Sequence, residues 1–522
     1  MPGNNLNNLE EDLLQFWENP GADFEPALLK AISIEGPPAL RGIMNLRVPF
    51  NYPLTAISGR NGVGKSTVMA LAAFSALKPP SWTVNQWPTS IHRMQPKSMA
   101  YNWHDFFFHH AGEPLSDGLT INFAYVAKGD EFDVKRFRSS RAWKTLPDPG
   151  RSRTPKFPKR PIEFVPLSRI IPPAEINQFR LRFGKQSKPA TIQELGTNIC
   201  SSMTEIFGRE YEHLELHEVD GLRLAKCRSG AHYTGFNMGA GENAAIAILF
   251  ALLRLPKGGL LLVEEIENGL HPEAQRRLVS VLARVLKERR SQLICSTHSE
   301  TIIDCLPRQG RILLTRSGPY HFCHDGPTTR FAISEMDSRP HPEATVYVED
   351  NFSEHLVRRA LSSDTRKRVR IIAVGNNVRV VRQLAAHIRA QSPGPALCVL
   401  DGDCTETEAG KWLRSEDIPD EESKLKFLPG NGLPPEKWAI KVLRERTYLK
   451  RFAHNLDIEI PAARDLIQAL DALPNHHDCC HELEQRQALS TGEGLSILLS
   501  AIALDHPELD EIRLAINTLI EQ

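Results

Sequence analysis

Apolar positions along the chain alternate between short continuous runs and longer stretches with helical spacing. Leu9, Leu13, Leu14 and Phe16 recur at near-helical intervals and predict a leading amphipathic helix within 1–25. From Ala31 the texture turns strand-like through Ile32, Ile34 and 46–50, and the run Leu54-Thr-Ala-Ile-Ser58 predicts a strand ahead of an apolar helix over 68–76. Strand and helix patterns then alternate from about 191 to 314, including apolar runs at 259–263 and 292–296. The stretch Asp337-Ser-Arg-Pro-His-Pro342 reads as a linker. A fresh alternation follows, with strands over 344–348, 369–373 and 396–400 and helices over 353–361 and 378–390. Beyond about 444 the pattern is mostly helical, with an apolar segment at 495–504. These elements predict an α/β protein in three parts: 1–336 with an insertion at about 80–230, a parallel-sheet domain over 337–445, and a helical region over 446–522.

Composition narrows the class without naming a partner. A length of 522 residues suggests two to four domains, and 41% hydrophobic against 24% charged residues is ordinary globular composition. No run of eighteen apolar residues occurs, and the start Met-Pro-Gly-Asn-Asn-Leu has neither the basic flank nor the apolar centre of a signal peptide, so a cytoplasmic protein without membrane association is expected. Nine cysteines at irregular spacing argue against a disulfide framework. Lys plus Arg equals Asp plus Glu at 63 each, yet between Lys135 and Arg160 ten basic residues face one acid, Asp148, among Trp143, Phe157 and four prolines. That segment is either a phosphate-contacting surface or a solvated basic loop.

Candidate chemistry begins after the strand at 54–58. Gly59, Arg60, Asn61, Gly62, Val63, Gly64, Lys65, Ser66 and Thr67 satisfy G-x-x-x-x-G-K-[ST] between a strand and a helix. In that setting backbone N–H groups surround phosphates, Lys65 reaches the terminal phosphates and Ser66 ligates magnesium. The run 259–263 ends in Glu264, which stands where a magnesium-supporting acid is needed, and Glu265, which can polarise the attacking water. His298, at the end of the next apolar run, can report the terminal phosphate. Met238, Gly239, Gly241 and Glu242 form a glycine-rich helix start and a second anion site. In this order the motifs resemble the ATP-binding-cassette heads of the SMC-like kind. The resemblance implies that the glycine-rich segment meets ATP held by a second subunit, and therefore a homo-oligomer through the heads. Gln95 is the candidate for the glutamine such heads carry.

The later strands end in a second set of acids. Glu349 closes one, Gly375 follows the next, and Asp401 and Asp403 close the third. Residues at i and i+2 of a strand share a face, so both aspartates are expected to project together, with Gly402 easing the bend. Carboxylates that close repel unless a divalent cation neutralises them. The order resembles the Toprim domain, which implies Glu349, Asp401 and Asp403 as metal ligands and catalytic residues. Asp350 stands where many relatives have Gly and Ser353 where they have an acid; Glu354 is the substitute ligand. Glu436 is the further catalytic acid of a two-metal centre, with Lys437 and Lys441 beyond it. His476-His-Asp-Cys-Cys-His481 holds many zinc-type donors, but without a second pair elsewhere a helix start is the favoured reading.

An SMC-like ATPase head fused to a Toprim domain resembles the OLD family of nucleases, including those of Gabija-type and retron-associated defence. The resemblance implies ATP with Mg2+, Mn2+ as an alternative at the Toprim acids, cleavage of nucleic acid with DNA ahead of RNA, and a protein or RNA partner from the same defence operon. The competing expectation is an ATP-driven sensor or scaffold whose Toprim domain is degenerate and only binds a partner or nucleic acid.

Overall fold

The computed structural model describes residues 3–77, 103–107, 117–139, 142–147, 157–167, 181, 183, 191–219, 222–337, 342–390, 392, 394–418, 421–502 and 506–521. Gln95 and the centre of the Pro-rich basic segment, 148–156, lie outside them. The chain forms two compact units, Met1–Asp337 and Ser338–Gln522.

The first unit is built on a six-stranded sheet in the order Tyr320–Asp325, Arg311–Ser317, Leu54–Ser58, Gln292–Ser296, Leu260–Val263, Ile162–Val165. All neighbours are parallel except the first pair. Leu54–Ser58, Gln292–Ser296 and Leu260–Val263 are buried along their whole length, which explains their unbroken apolar character. Their side chains alternate between two cores. Leu54, Ala56, Leu261, Val263, Leu293 and Cys295 pack with the helices Ala240–Arg254 and Pro272–Arg289. Ile57, Leu260, Leu262 and Ile294 pack with the helix Lys65–Ala73 and an antiparallel sheet that runs from Leu46–Pro49 to Ala142–Thr145. A third, antiparallel sheet holds Thr191–Glu194, His213–Val219, Leu222–Ser229 and Ala231–Thr234.

Two features depart from the sequence expectations. Within the stretch read as an insertion, Ile162–Val165 returns as an edge strand of the central sheet, paired in parallel with Leu260–Val263. The basic segment is also used internally at the positions described. Arg136 lies over the Phe157 ring at 4.5 Å and Arg138 over Trp103 at 5.2 Å. Arg160 is 1% exposed and donates to Gly258 O at 2.8 Å, Gly259 O at 3.2 Å and Gln292 Oε1 at 2.8 Å. For these arginines neither the phosphate-contacting nor the solvated reading holds: their heads satisfy carbonyls and aromatic faces in the interior.

The second unit carries a four-stranded, wholly parallel sheet in the order Val369–Ala373, Ala344–Val348, Ala396–Leu400, Leu425–Phe427. Tyr347, Cys398 and Leu400 face the helix Asn377–Arg389 through Val380 and Leu384. Val346, Val348, Leu397 and Val399 face the other way, into a core shared with Leu449, Phe452, Leu466, Leu498 and Ile516. The helices after 445 therefore share one core with the sheet. Among the described residues no helix is long and apolar enough to cross a membrane.

Arg160→Met removes three hydrogen bonds and leaves the buried carbonyl of Gly258 without its donor, while Gly259 O keeps Gln292 N at 3.0 Å. It is expected to cost about 2–4 kcal/mol, read as a lowered denaturant midpoint of the full chain.

Candidate functional site

In the first unit the phosphate loop needs its glycines for conformation and space. Gly59, Gly62 and Gly64 have φ of 139°, 80° and 105°. A Cβ on Gly59 would stand 2.3 Å from Leu314 O, and one on Gly64 2.7 Å from Ile43 Cδ1. Val63 and Thr67 are buried anchors, while Asn61, Gly62 and Ser66 are exposed along the loop and first helical turn. Arg60 is exposed but its guanidinium donates to the carbonyls of Glu335 and Asp337. Lys65 Nζ donates to Gly59 O at 2.7 Å and Arg60 O at 3.0 Å. Burial pulls the Lys65 ammonium down to about 8, against the charges of Glu265 and Glu267.

The acids that face this lysine leave the neighbouring strands. Glu264 Oε2 accepts from Leu167 N at 3.1 Å. Glu265 has φ of 41°, a left-handed conformation that costs energy for a residue with a side chain and recurs at functional sites. Its N–H donates to Ser296 Oγ at 2.9 Å, and Asn268 donates to its carboxylate. Glu267, absent from the candidates drawn from sequence, accepts from His298 N at 2.6 Å, and its Oε2 is buried with no hydrogen-bond partner. Burial and the charge of Lys65 hold the His298 imidazole below its usual range, against Glu267 and Glu265. Lys65, Glu265, Glu267 and His298 thus form one electrostatic cluster beyond the carboxyl ends of three adjacent strands. Glu267 sits in the irregular turn after its strand, where no periodicity marks it.

The glycine-rich helix start is held from within. Gly239 is exposed and caps Ala240–Arg254, with its N–H donating to Glu242 Oε2 at 3.2 Å. The other Glu242 oxygen accepts from Tyr211 Oη at 2.6 Å, Tyr233 Oη at 2.8 Å and the Arg209 guanidinium. Met238 is buried in the core, and a Cβ on Gly241 would meet Gly269 O at 2.2 Å. Of the four residues expected to face ATP, only Gly239 is exposed; Met238, Gly241 and Glu242 hold the helix start against its own surroundings.

The second unit gathers its own acids. Gly375 N donates to Glu349 O at 2.7 Å, so the glycine after the second strand pairs with the acid ending the first. Glu349 and Asp401 hydrogen-bond each other, and Ser353 Oγ, wholly buried, donates to Asp401 Oδ1 at 2.7 Å. Burial, with the nearby charges of Glu349 and Asp350, pushes the Asp401 carboxyl up to about 8. Burial also raises Glu349, as do Asp350 and Asp403, while Asp401 and His477 oppose. The expectation that Asp401 and Asp403 share a strand face is corrected: the strand ends at Leu400, and Cys404 N donates to Asp401 O at 3.0 Å in a turn. Asp401 is buried and Asp403 exposed, because strand alternation stops where the ladder stops. Gly402 admits the turn, since a Cβ there would meet Leu428 O at 2.7 Å.

The remaining candidates separate. Asp350 caps the helix Asn351–Ala360 through Ser353 N at 2.8 Å, which gives that departure a structural role. Glu354 accepts from Arg358 at 2.8 Å rather than joining Asp401. Lys437 donates to Asp471 O at 3.1 Å. Glu436, expected as the further catalytic acid beside Glu349 and Asp401, is buried and spends its hydrogen bond on His477 instead, accepting from Nδ1 at 2.8 Å. Asn377, which the sequence did not single out, accepts from Asp401 N at 3.2 Å.

Residues 234–304 match the family described as "AAA domain, putative AbiEii toxin, Type IV TA system". That segment spans the glycine-rich helix start, the acidic strand and His298. No curated protein matches the sequence. Among solved structures, the SMC head domain from Thermotoga maritima is 14% identical with a TM-score of 0.34, over 57% of this chain and 98% of that one. The SmcHead bound to the C-winged helix domain of ScpA is 14% identical with a TM-score of 0.37, over 57% of this chain and 96% of that one. The Smc head domain with an extended coiled coil, bound to the C-terminal domain of ScpA derived from Pyrococcus furiosus, gives 14% and 0.35 over 57% and 96%. The chain carries a P-loop ATPase site.

An acid whose folded pKa lies above its ordinary 3.8 favours the fold when protonated, so its contribution is full at low pH and is lost as pH rises towards about 8. The metal-free protein is therefore expected to lose stability between about pH 5 and about pH 8, and Asp401→Asn to flatten that slope. Denaturant midpoints of both proteins across this range check it.

Proposed function

We propose that the protein is an ATP-hydrolysing, divalent-metal-dependent endonuclease of OLD type, whose cleavage of nucleic acid is governed by nucleotide. Supporting the first activity is the glycine cradle at Gly59, Gly62 and Gly64, which a Cβ would fill or strain. The exposed Ser66 hydroxyl and Glu264 would hold the magnesium, Lys65 the terminal phosphates, and Glu265 the attacking water, with His298 beside them. The exposed Gly239 at the start of its helix is suited to an anion brought by a second copy, which favours a homo-oligomer through the ATPase units.

The single observation that carries the second activity is the contact between Glu349 and Asp401 at the ends of adjacent parallel strands, with the charge of Asp403 in range. A buried and a half-buried carboxyl in contact need a shared proton or a cation, and this donor set suits Mg2+ or Mn2+. Metal there would neutralise the scissile phosphate and stabilise the attacking and leaving oxygens. DNA is the foremost substrate and RNA the second, with a protein or RNA partner of a defence system as the trigger. The matched toxin-type ATPase family favours such a setting.

Glu265→Gln is expected to lower ATP turnover about 10²–10⁴-fold with nucleotide binding retained. Asp401→Asn and Asp403→Asn are expected to abolish Mg2+- or Mn2+-dependent cleavage of DNA and leave ATP hydrolysis within about twofold. If the wild-type protein cuts neither DNA nor RNA with either metal at any ATP level, the nuclease reading fails and the sensor or scaffold reading takes its place.

A further inference from the structure

The motif His476-His-Asp-Cys-Cys-His481 lacked a second pair of donors in the sequence, and the fold supplies a partner from forty residues upstream. Glu436 lies in the first turn of the helix Pro435–Val442, and His476 and His477 lie on the short 3-10 turn His476–Asp478. The carboxylate and imidazole donor atoms of these three residues all fall within 4.8 Å of one another. We propose that Glu436, His476 and His477 form a binding site for a first-row transition-metal dication, separate in its ligands from the Glu349, Asp401 and Asp403 group.

Burial and unspent hydrogen-bonding capacity both point to a cation. The Glu436 side chain is 4% exposed. Among the described residues its one hydrogen-bond partner is His477 Nδ1, through Oε1, which leaves Oε2, an atom not sealed from solvent, open to a ligand. A buried carboxylate normally gathers several donors or a cation, because the desolvation of an ionised oxygen is otherwise uncompensated. The two imidazoles stand with ring centroids 4.1 Å apart at 43°, and the His476 nitrogens have no hydrogen-bond partner among the described residues. Neighbouring rings with free nitrogen lone pairs beside a carboxylate are a ligand set in waiting.

Both supports of the site are fixed. Trp438, Ala439 and Ile440 bury the helix that carries Glu436. Asn475 caps the 3-10 turn, its side chain bonds Asp478 at 3.1 Å, and Cys479 anchors the turn's end in the core. Metal bonds of about 2.0–2.2 Å hold adjacent ligand atoms about 3–4 Å apart, so rotation of the outer histidine ring is enough to close the site. Binding through His477 Nδ1 requires the hydrogen shared with Glu436 Oε1 to leave that nitrogen: a neutral ring carries it on Nε2 instead, and an imidazolium releases it to solvent.

The donors select the metal. Two imidazoles with one carboxylate suit Zn2+, Co2+, Ni2+ or Fe2+, whereas Mg2+ prefers oxygen and water. The charge of His477 is felt at Glu349, so an ion held here would also raise the positive potential at the acidic group.

Co2+ titrated into the full-length protein, followed by visible absorption, tests this independently of any cleavage. The wild type is expected to gain nitrogen-ligand d–d bands that saturate at one ion per chain, and Asp401→Asn/Asp403→Asn to keep them. His476→Ala/His477→Ala is expected to lose the bands and weaken the tightest Co2+ binding at least about 100-fold. His477→Gln, which retains a hydrogen-bonding side chain for Glu436, is expected to lose them as well with its melting temperature unchanged. No saturable band in the wild type, or bands unaltered in either histidine variant, would overturn the site. Because the readout needs no substrate, absence of nuclease activity and absence of this site are separate results.

Discussion

Parallel strands that are buried on both faces leave polar chemistry only the ends of the strands, and that constraint organises each unit. Leu54–Ser58, Leu260–Val263 and Gln292–Ser296 spend their side chains on two cores, as do Ala344–Val348 and Ala396–Leu400. Acids, lysine and histidine can then appear only where the ladder stops and the chain turns. The consequence is crowding of charge. In the first unit Lys65 stands among Glu265 and Glu267 and offsets them; in the second no lysine meets Glu349 and Asp401 among the described residues, and they share a hydrogen bond instead.

That difference sets what each site asks of a ligand. The first has a cation of its own and a backbone cradle, so it is built to receive an anion that brings a metal with it. The second holds a pair of carboxyls in contact, with a wholly buried serine donating to Asp401, and under the proposed function a cation would complete it. Ser353 in place of an acid lowers the charge there by one and keeps a donor on Asp401, while Asp350 spends an oxygen on capping the adjoining helix. Gly241 and Gly269 approach so closely that the glycine-rich helix start and the turn after the acidic strand pack as one element.

Much of the fold was legible because burial leaves periodic marks. Continuous apolar runs announced the parallel strands, and the helices over 243–254 and 378–390 appeared in the structure with starts extended to Ala240 and Asn377. Helix starts shifted because caps act through local hydrogen bonds: Asp350 begins its helix at Asn351, two residues before the spacing suggested. The phosphate loop was legible outright, since its chemistry is carried by consecutive residues. The parts played by Glu267, Ser353 and Asn377 were not, because each acquires its role from a partner on another element.

The chain's sequence by itself determined the order of strands and helices, the nucleotide loop and the acids available at each strand end, because these depend on neighbours within a few residues. Only the tertiary structure decided that Asp401 is buried while Asp403 is exposed, that Arg160 serves interior carbonyls, and that Glu436 meets His476 and His477. Those outcomes depend on where a ladder ends and which helices cover it. Contacts between distant segments carry no period along the chain, so only the folded arrangement reveals them.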